Sequence, residues 1–373
     1  MNLQTLKTPS LLLDINRVRQ NAEKIGSRVK ELGASLRPHI KTHKCIEVAQ
    51  IQTEGHSGAV TVSTLEEGRV FAANGFTDIL YAVPIERGKF DEAIDLSRKC
   101  EKLSLITDNP EVPAQLDEAA RNAGVTLNVF LKVDCGYHRC GVEPHTTEAL
   151  EIPQRIVVSS NLRFAGILTH AGHSYHCKNR EELLALAQHE RDVMVEMADR
   201  LKSLGMPVPT VSIGSTPTIS TVDHLEGINE VRPGNYIFFD AFQATLGSCR
   251  PEDCALTVLS AVVHRDLSRN KVIVDAGAIA LSKDRGAEHI DSQCGYGWVL
   301  DLEGNDLGLR VESMSQEHGI MVGSNGASVD KLKVGTRVRI LANHSCLTAA
   351  QHSHYEVIDG DEVVDRWQIH RGW

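Results

Sequence analysis

The chain has 373 residues, a formal net charge of −10 and only 5% aromatic residues. The acidic balance argues against a nucleic-acid or anionic-membrane partner, and the few aromatic side chains argue against base stacking. The sequence has no apolar run long enough to span a bilayer and no secretory signal pattern near its start. Nine scattered cysteines fit reduced thiols, so we expect a cytoplasmic protein.

Short apolar runs alternate with amphipathic stretches over the first two-thirds of the chain. We predict strands in the apolar runs, at residues 10–14, 36–40, 58–62, 78–83, 102–106, 127–133, 164–169 and 210–213. We predict helices in the amphipathic stretches, including residues 15–32, 65–73, 89–97, 112–123 and 180–204. Several strands are continuously apolar, which is typical of a parallel sheet buried on both faces.

This rhythm predicts an α/β fold, a (β/α)₈ barrel. A doubly wound open sheet is the alternative, because the rhythm does not reveal closure. Beyond residue 249 the pattern changes to strands separated by turn-rich pieces, at 255–265, 271–275, 297–302, 337–341 and 355–359. We therefore expect a barrel over 1–248, whose first strand could join the second domain, and a mainly β domain over 249–373.

Residues 36–44 place Lys41 among several cationic or potentially cationic side chains. Like charges disfavour the ammonium form, so Lys41 is a candidate amine nucleophile toward a carbonyl such as the aldehyde of pyridoxal phosphate (PLP). The alternative is a solvated basic turn.

Two turn segments are candidates for a phosphate site. Gly214, Ser215 and Thr216 directly follow a predicted strand, and late loops of a barrel commonly bind phosphate. Gly234, Asn235 and Tyr236 follow Arg232-Pro233, and their amides could complete the site. Ordinary turns are the alternative for both segments.

Two further strand ends carry polar side chains. Residues 134–141 include Arg139, which could pair with a phenolate or a carboxylate, or form an ordinary loop salt bridge. Residues 169–176 contain three histidines, but their spacing matches no tight zinc pattern. We interpret His170 as a residue beside a cofactor and His173 or Tyr175 as facing the substrate.

His344 and Cys346 form a candidate metal pair in the β domain. Residues two apart on a strand point the same way, and an imidazole with a thiolate suits Zn²⁺. The alternative is a buried thiol that acts as a small hydrophobic side chain near a structural histidine.

Taken together, these motifs resemble the fold-type III PLP enzymes. Residues 9–14, 37–41, 211–218, 232–236, 274–277, 316–319 and 344–346 carry the resemblance. Within that group the chain resembles the branch of D-serine dehydratase, D-threo-3-hydroxyaspartate dehydratase and D-threonine aldolase, over essentially its whole length. The resemblance implies an alanine-racemase-like barrel with a C-terminal β domain, and a homodimer.

The resemblance also implies roles for individual residues. Lys41 would carry PLP, and His170 and Arg139 would lie around the pyridine ring. His344 and Cys346 would hold a divalent metal, Zn²⁺ or another such as Mn²⁺. The phosphate would be bound by Gly214, Ser215, Thr216, Gly234 and Asn235.

The implied substrate is a β-hydroxy D-amino acid, and two reactions stay open. In a dehydratase, Lys41 would take the α-proton while the metal helps the β-hydroxyl to leave, giving a 2-oxo acid and ammonia. In an aldolase, a base such as His173 would remove the hydroxyl proton, giving glycine and an aldehyde. The His-x-Cys pair favours the dehydratase. A racemase and a non-catalytic PLP-binding protein are further alternatives, against which the metal pair and the β domain argue.

Overall fold

The computed structural model describes residues 2–324 and 326–373. Its strands form two β-sheets and are numbered in chain order. They are β1 (Ser10–Asp14), β2 (Ser35–Leu36), β3 (Val60–Val62), β4 (Asp78–Pro84), β5 (Lys102–Thr107), β6 (Leu127–Lys132), β7 (Leu162–Leu168), β8 (Val211–Ile213), β9 (Glu230–Val231), β10 (Leu256–Asp266), β11 (Lys271–Val274), β12 (Gly297–Leu300), β13 (Asp306–Met314), β14 (Gly319–Gly323), β15 (Arg337–Ala342), β16 (His354–Asp359) and β17 (Glu362–Gln368).

Most of the helices, the first eight, lie between successive strands from β1 to β9 along the chain. They are α1 (Ile15–Glu31), α2 (Ile46–Thr53), α3 (Leu65–Ala73), α4 (Phe90–Ser97), α5 (Val112–Ala123), α6 (Glu148–Val158), α7 (Arg180–Ser203), α8 (Thr216–Thr221), α9 (Ala241–Leu246), α10 (Ala278–Leu281) and α11 (Ser345–Ala349). Within the described part of the chain, none of them is long and apolar enough to cross a bilayer.

The chain divides into two compact units. The barrel unit contains residues 24–41, 52–234 and 371–373, and the β unit contains the chain up to residue 23 together with 42–51 and 235–370. The chain therefore passes from one unit to the other directly after Lys41 and directly after Gly234. Both crossings fall inside segments that the sequence predicts to be functional.

Eight parallel strands form the sheet of the barrel unit, in the order β2-β9-β8-β7-β6-β5-β4-β3. A parallel bridge between His39 and Thr61 joins the segment that follows β2 to β3 at the other end of this order. Apolar side chains from four adjacent strands pack into a buried cluster, Leu80, Ile106, Phe130 and Leu168. The predicted barrel is therefore confirmed.

The β unit contains a nine-stranded sheet, in the order β11-β14-β13-β12-β15-β10-β1-β16-β17. Its first strand, β1, pairs antiparallel with β10 and parallel with β16. The mainly β domain is confirmed, with three strands that the sequence analysis did not predict, β13, β14 and β17. Charged residues interrupt the apolar pattern in β13 and β17, and β14 has only three apolar residues between two glycines, so cross-strand pairing defines these strands.

Candidate active site

Lys41 lies on a short 3₁₀ turn, Ile40–Thr42, that follows β2. The predicted strand over 36–40 is shorter in the structure: β2 ends at Leu36, although the amides of Arg37 and His39 still donate to the carbonyls of Val231 and Pro233 at 3.0 Å. Lys41 is exposed on this turn.

Arg37, one of the cationic residues that the sequence places near Lys41, is paired with two carboxylates in the structure. The guanidinium of Arg37 is buried and pairs with Glu230 at 2.7 Å and with Asp78 at 2.8 Å. Burial alone would lower the pKa of Arg37, but these two carboxylates raise it above its usual range. Arg37 is therefore neutralised within the barrel instead of adding to the charge around Lys41.

His170 lies just after β7 and shares its surroundings with cations from several other strand ends. Burial lowers the pKa of its imidazole well below the usual value, and nearby positive charges lower it further, those of Lys41, Lys132, Arg139 and Arg232. The neutral form of His170 is consequently favoured at neutral pH.

Two of these cations are themselves buried, Lys132 on β6 and Arg232 just after β9. Burial and the charge of Arg232 lower the pKa of Lys132 to about 8. Burial also lowers the pKa of Arg232 to about 10, although Glu230 and Glu190 oppose this effect. Buried cations with lowered pKa values gain from an anionic ligand, so this region fits the phosphate of PLP.

The predicted phosphate loop lies between β8 and α8, and two of its backbone amides already donate hydrogen bonds to side chains of the protein. The amide of Gly214 donates to Glu190 Oε1 at 3.1 Å, and the amide of Ser215 donates to Thr218 Oγ1 at 3.1 Å. Ser215 also caps α8, whose first residue is Thr216. The roles of Gly214, Ser215 and Thr216 in phosphate binding stay predictions, as does that of Gly234.

Glu190 on α7 is a functional candidate that the sequence analysis missed. Its buried carboxylate accepts the amide of Gly214 and, at 3.0 Å, the amide of Ala171. It therefore fixes the loops after β7 and β8 together. A glutamate inside a long amphipathic helix gives no sequence signal for such a contact.

Tyr137 is a second residue that the sequence analysis missed. Its ring stacks on His173, with centroids 5.9 Å apart, and meets His170 edge-on at 6.2 Å. The guanidinium of Arg139 lies 5.1 Å from the same ring. A side chain at Gly172 would collide with Tyr137, since its Cβ would lie 2.3 Å from the ring. Tyr137 thus brings Arg139, His170 and His173 into one group. Tyr175 lies on the same 3₁₀ turn as His173, Gly172–His176, and its role beside the cofactor or substrate stays a prediction.

The candidate metal residues lie in the β unit, directly after β15. The strand ends at Ala342, so the expectation that His344 and Cys346 share a strand face is wrong. His344 instead precedes α11 with extended backbone, and Cys346 lies in the first turn of that helix. The two side chains still meet. Burial would lower the pKa of His344, but hydrogen bonds to Asp284 and Cys346 raise it well above its usual value.

Cys346 is held by polar neighbours within the β unit. Its thiol donates to Thr42 Oγ1 at 3.3 Å and accepts from Asn235 Nδ2 at 3.6 Å. The same amide group donates to Asp240 Oδ2 at 2.7 Å, and Asn235 Oδ1 is buried without a hydrogen-bond partner among the described residues. A nitrogen and a sulfur ligand beside a vacant buried oxygen acceptor fit a divalent cation such as Zn²⁺. The phosphate roles predicted for Asn235 and Tyr236 stay predictions.

Asp134, His138 and Glu143 form another group of potential ligand atoms, within 4.8 Å of one another. Asp134 already accepts backbone N–H groups from Gly136, Tyr137 and His138 at 2.9–3.1 Å. His138 and Glu143 are exposed. We therefore assign this group to stabilising the loop after β6.

The chain matches two family models. Residues 13–241 match "Alanine racemase, N-terminal domain", and residues 255–358 match "Putative serine dehydratase domain". The first match covers the barrel strands and the second covers most of the β unit's sheet. The fold and the site thus define the class of enzymes that combine an alanine-racemase-like barrel with a serine-dehydratase-type second domain.

Three known proteins are similar along essentially the whole chain. The D-threo-3-hydroxyaspartate dehydratase of Delftia sp. (strain HT23) is 39% identical over 100% of this chain and 99% of its own, and its solved structure superposes with a TM-score of 0.96, each chain covered fully. The D-serine dehydratase of Dictyostelium discoideum is also 39% identical, over 100% of this chain and 98% of its own. The D-threonine aldolase structure from Filomicrobium marinum is more distant, at 28% identity and a TM-score of 0.86, covering 99% of this chain and 97% of its own.

The chain therefore belongs to the family of D-serine and D-threo-3-hydroxyaspartate dehydratases. The resemblance inferred from the sequence is confirmed, and so is the expectation of a PLP-dependent lyase family that acts on β-hydroxy D-amino acids.

Proposed function

We propose that the protein is a dehydratase of a β-hydroxy D-amino acid, of the D-serine or 3-hydroxy-D-aspartate type, and that it requires PLP and a divalent metal. Its products are a 2-oxo acid and ammonia. The observation that carries this choice is the contact between His344 and Cys346, in a chain related along its whole length to two dehydratases.

PLP, when bound, supplies an electron sink that makes the α-proton of an attached amino acid acidic. In the proposed enzyme Lys41 Nζ would hold the cofactor covalently before the substrate binds, and the amine that is released when the substrate takes its place would take up the α-proton. The buried charges of Lys132 and Arg232 support the binding of an anionic cofactor. The proposed phosphate ligands are Gly214, Ser215, Thr216, Gly234, Asn235 and Tyr236, with Arg139, His170 and Tyr175 as further contacts.

A divalent metal, when bound, acts as a Lewis acid that makes a hydroxyl a better leaving group. His344 and Cys346 would hold this metal, and Zn²⁺ suits their nitrogen and sulfur atoms better than Mn²⁺. A relative supports a cysteine as metal ligand: a D-threo-3-hydroxyaspartate dehydratase in which alanine replaces a cysteine is described as being in the metal-free form.

Retro-aldol cleavage is the second candidate function, and His173 is the observation that favours it. Burial lowers the pKa of His173, so its imidazole is neutral at neutral pH and able to accept a proton. Its Nδ1 is buried without a hydrogen-bond partner among the described residues. As such a base, His173 would take the proton of the substrate hydroxyl, and the products would be glycine and an aldehyde.

Product analysis separates the two functions. The purified protein is incubated with D-serine, D-threonine and 3-hydroxy-D-aspartate in the presence of PLP and zinc. We expect ammonia together with pyruvate, 2-oxobutanoate or oxaloacetate. Glycine with an aldehyde as the main products would reject the dehydratase in favour of the aldolase.

The variant Cys346→Ala tests the metal within the same assay. We expect it to lose bound zinc and most of the ammonia release but to retain PLP. Cys100→Ala is the matched control, because Cys100 is a partly exposed thiol in the barrel unit. Undiminished turnover in Cys346→Ala would remove the metal from the proposed reaction.

We also propose that the protein is a cytoplasmic homodimer without a nucleic-acid or membrane partner. The resemblance supports the dimer, while the charge and the nine unbridged cysteines support the other assignments.

A further inference from the structure

His344 has a carboxylate partner that neither the sequence motifs nor the family relationship pointed to. The Nδ1 atom of His344 lies 2.7 Å from Oδ2 of Asp284, in the segment that follows α10. This contact occupies one ring nitrogen. Nε2 is therefore the atom that remains for Cys346 or for a cation.

The segment that carries Asp284 is itself held in place. The Oδ1 atom of Asp284 accepts the amide of Gly286 at 2.7 Å, and its backbone carbonyl accepts from Asn343 Nδ2 at 3.3 Å. Gly286 has a φ of +54°, and a Cβ there would lie 3.0 Å from Asn343 Cβ. The carboxylate of Asp284 is thus held by its own loop, and its backbone is held by the residue that precedes His344.

A carboxylate at Nδ1 has a defined effect on an imidazole that binds a metal. It accepts a hydrogen bond from Nδ1–H, which leaves the lone pair of the neutral ring on Nε2, and it holds the ring in one orientation. It also increases the basicity of the ligating nitrogen, and removal of such a partner typically costs about 10- to 100-fold in metal affinity.

The other carboxylate near the pair, Asp240, contacts a different part of the site. It accepts from the backbone amide of Ser345 at 3.0 Å and from Asn235 Nδ2 at 2.7 Å. These contacts fix the start of α11 and the amide beside Cys346. Asp284 is the carboxylate that contacts the imidazole of His344 itself.

We propose that Asp284 is a positioning residue, which sets the tautomer and orientation of His344 for binding a divalent cation such as Zn²⁺. This inference rests on the proposed metal site at His344 and Cys346. The carboxylate acts through the imidazole and makes no contact with the metal.

Zinc affinity of the PLP-loaded protein, measured by competition with a chromophoric chelator, tests the proposal. We expect Asp284→Ala to bind zinc about 10- to 100-fold more weakly and Asp284→Asn to fall between this variant and the wild type. PLP absorbance and circular dichroism should stay unchanged in both. Asp301→Asn is the matched control, because Asp301 is a carboxylate of the same unit that accepts from the Asn305 amide at 2.8 Å.

The outcomes separate this inference from the proposed function. Wild-type zinc affinity in Asp284→Asn and Asp284→Ala, together with loss of zinc in His344→Ala, would overturn the role of Asp284 alone. Equal zinc binding by wild type and His344→Ala would overturn the metal site as well. If Asp284→Ala does not fold, Asp284→Asn, which keeps the shape of the side chain, decides the question.

Discussion

At the scale of single residues, burial and the positive charges around His170 explain why its imidazole is neutral. Its imidazole shares this part of the barrel unit with the cations of Lys41, Lys132 and Arg232. A protonated imidazole would add another positive charge there. A neutral ring, by contrast, can pack against Tyr137 and leave the cations for an anionic ligand.

This arrangement predicts a pH-dependent stability. Because the pKa of His170 is lowered in the folded state, the unfolded chain takes up a proton below about pH 6.5 that the native protein does not. The free energy of unfolding should therefore fall as the pH decreases from 7 to 5. In His170→Gln the decrease should be smaller, by up to about 1.4 kcal/mol per pH unit.

Urea unfolding of the cofactor-free protein at several pH values measures this effect. His318→Gln is the control, because His318 is exposed. The same pH dependence in His170→Gln and the wild type would show that His170 titrates alike in the folded and unfolded states, which would contradict an imidazole that folding keeps neutral.

Residue types and spacing made Lys41, His170 and the pair His344 and Cys346 candidates, and the family resemblance supplied their predicted roles. The same patterns gave no role to Glu190 or Asp284. Each of these carboxylates meets its partner through space, 60 residues away in the case of Asp284 and His344. Isolated carboxylates are common along any chain, so only tertiary contacts distinguish these two.

At the scale of elements, two neighbouring segments of the barrel sheet approach so closely that one position requires glycine. Gly166 in β7 has a φ of +133°, and a Cβ there would lie 2.0 Å from the carbonyl oxygen of Thr210. Thr210 directly precedes β8, which pairs with one edge of β7, and the pairing of β7 with β6 on its other edge shifts register at Gly166. His170 follows two residues after the end of β7.

Substitution of Gly166 by alanine should therefore be costly. We expect Gly166→Ala to destabilise the protein by about 3 kcal/mol or more, because backbone strain and a steric clash add together. Gly124→Ala is the matched control, since Gly124 also has a positive φ, +67°, but a Cβ there would have no described atom within 4 Å. That variant should lose only about 1 kcal/mol.

The midpoints of urea unfolding compare the two variants. Equal losses in Gly166→Ala and Gly124→Ala would mean that β7 relaxes away from Thr210, and that the close approach of the strands does not constrain the sheet.

Strong periodicity made the barrel elements predictable, including β4 to β8 and the long helix α7. Weak or interrupted periodicity hid the others. Helix α6 contains Pro153, which interrupts the helical pattern of its sequence, and β17 is a largely exposed edge strand with three charged residues. These elements are defined by their neighbours more than by their own sequences.

At the scale of the whole molecule, the fold follows from the order of β and α segments, whereas the division of the chain does not. The sequence suggests one boundary at residues 248 and 249, which remains a proposal. In the structure the chain passes between the two compact units at several points, including those after Lys41 and Gly234. Which unit a segment belongs to depends on long-range pairing, for example that of β1 with β10, and no local sequence pattern predicts this pairing.

The most direct test of the central claim is to locate the residue that carries PLP. The purified protein is treated with borohydride, digested and analysed by mass spectrometry for a phosphopyridoxyl-modified peptide. We predict that the label is on Lys41 and that Lys41→Ala loses both the label and the yellow absorbance. A label on another lysine, such as the buried Lys132, or no label at all would contradict the assignment of Lys41 as the cofactor-binding residue.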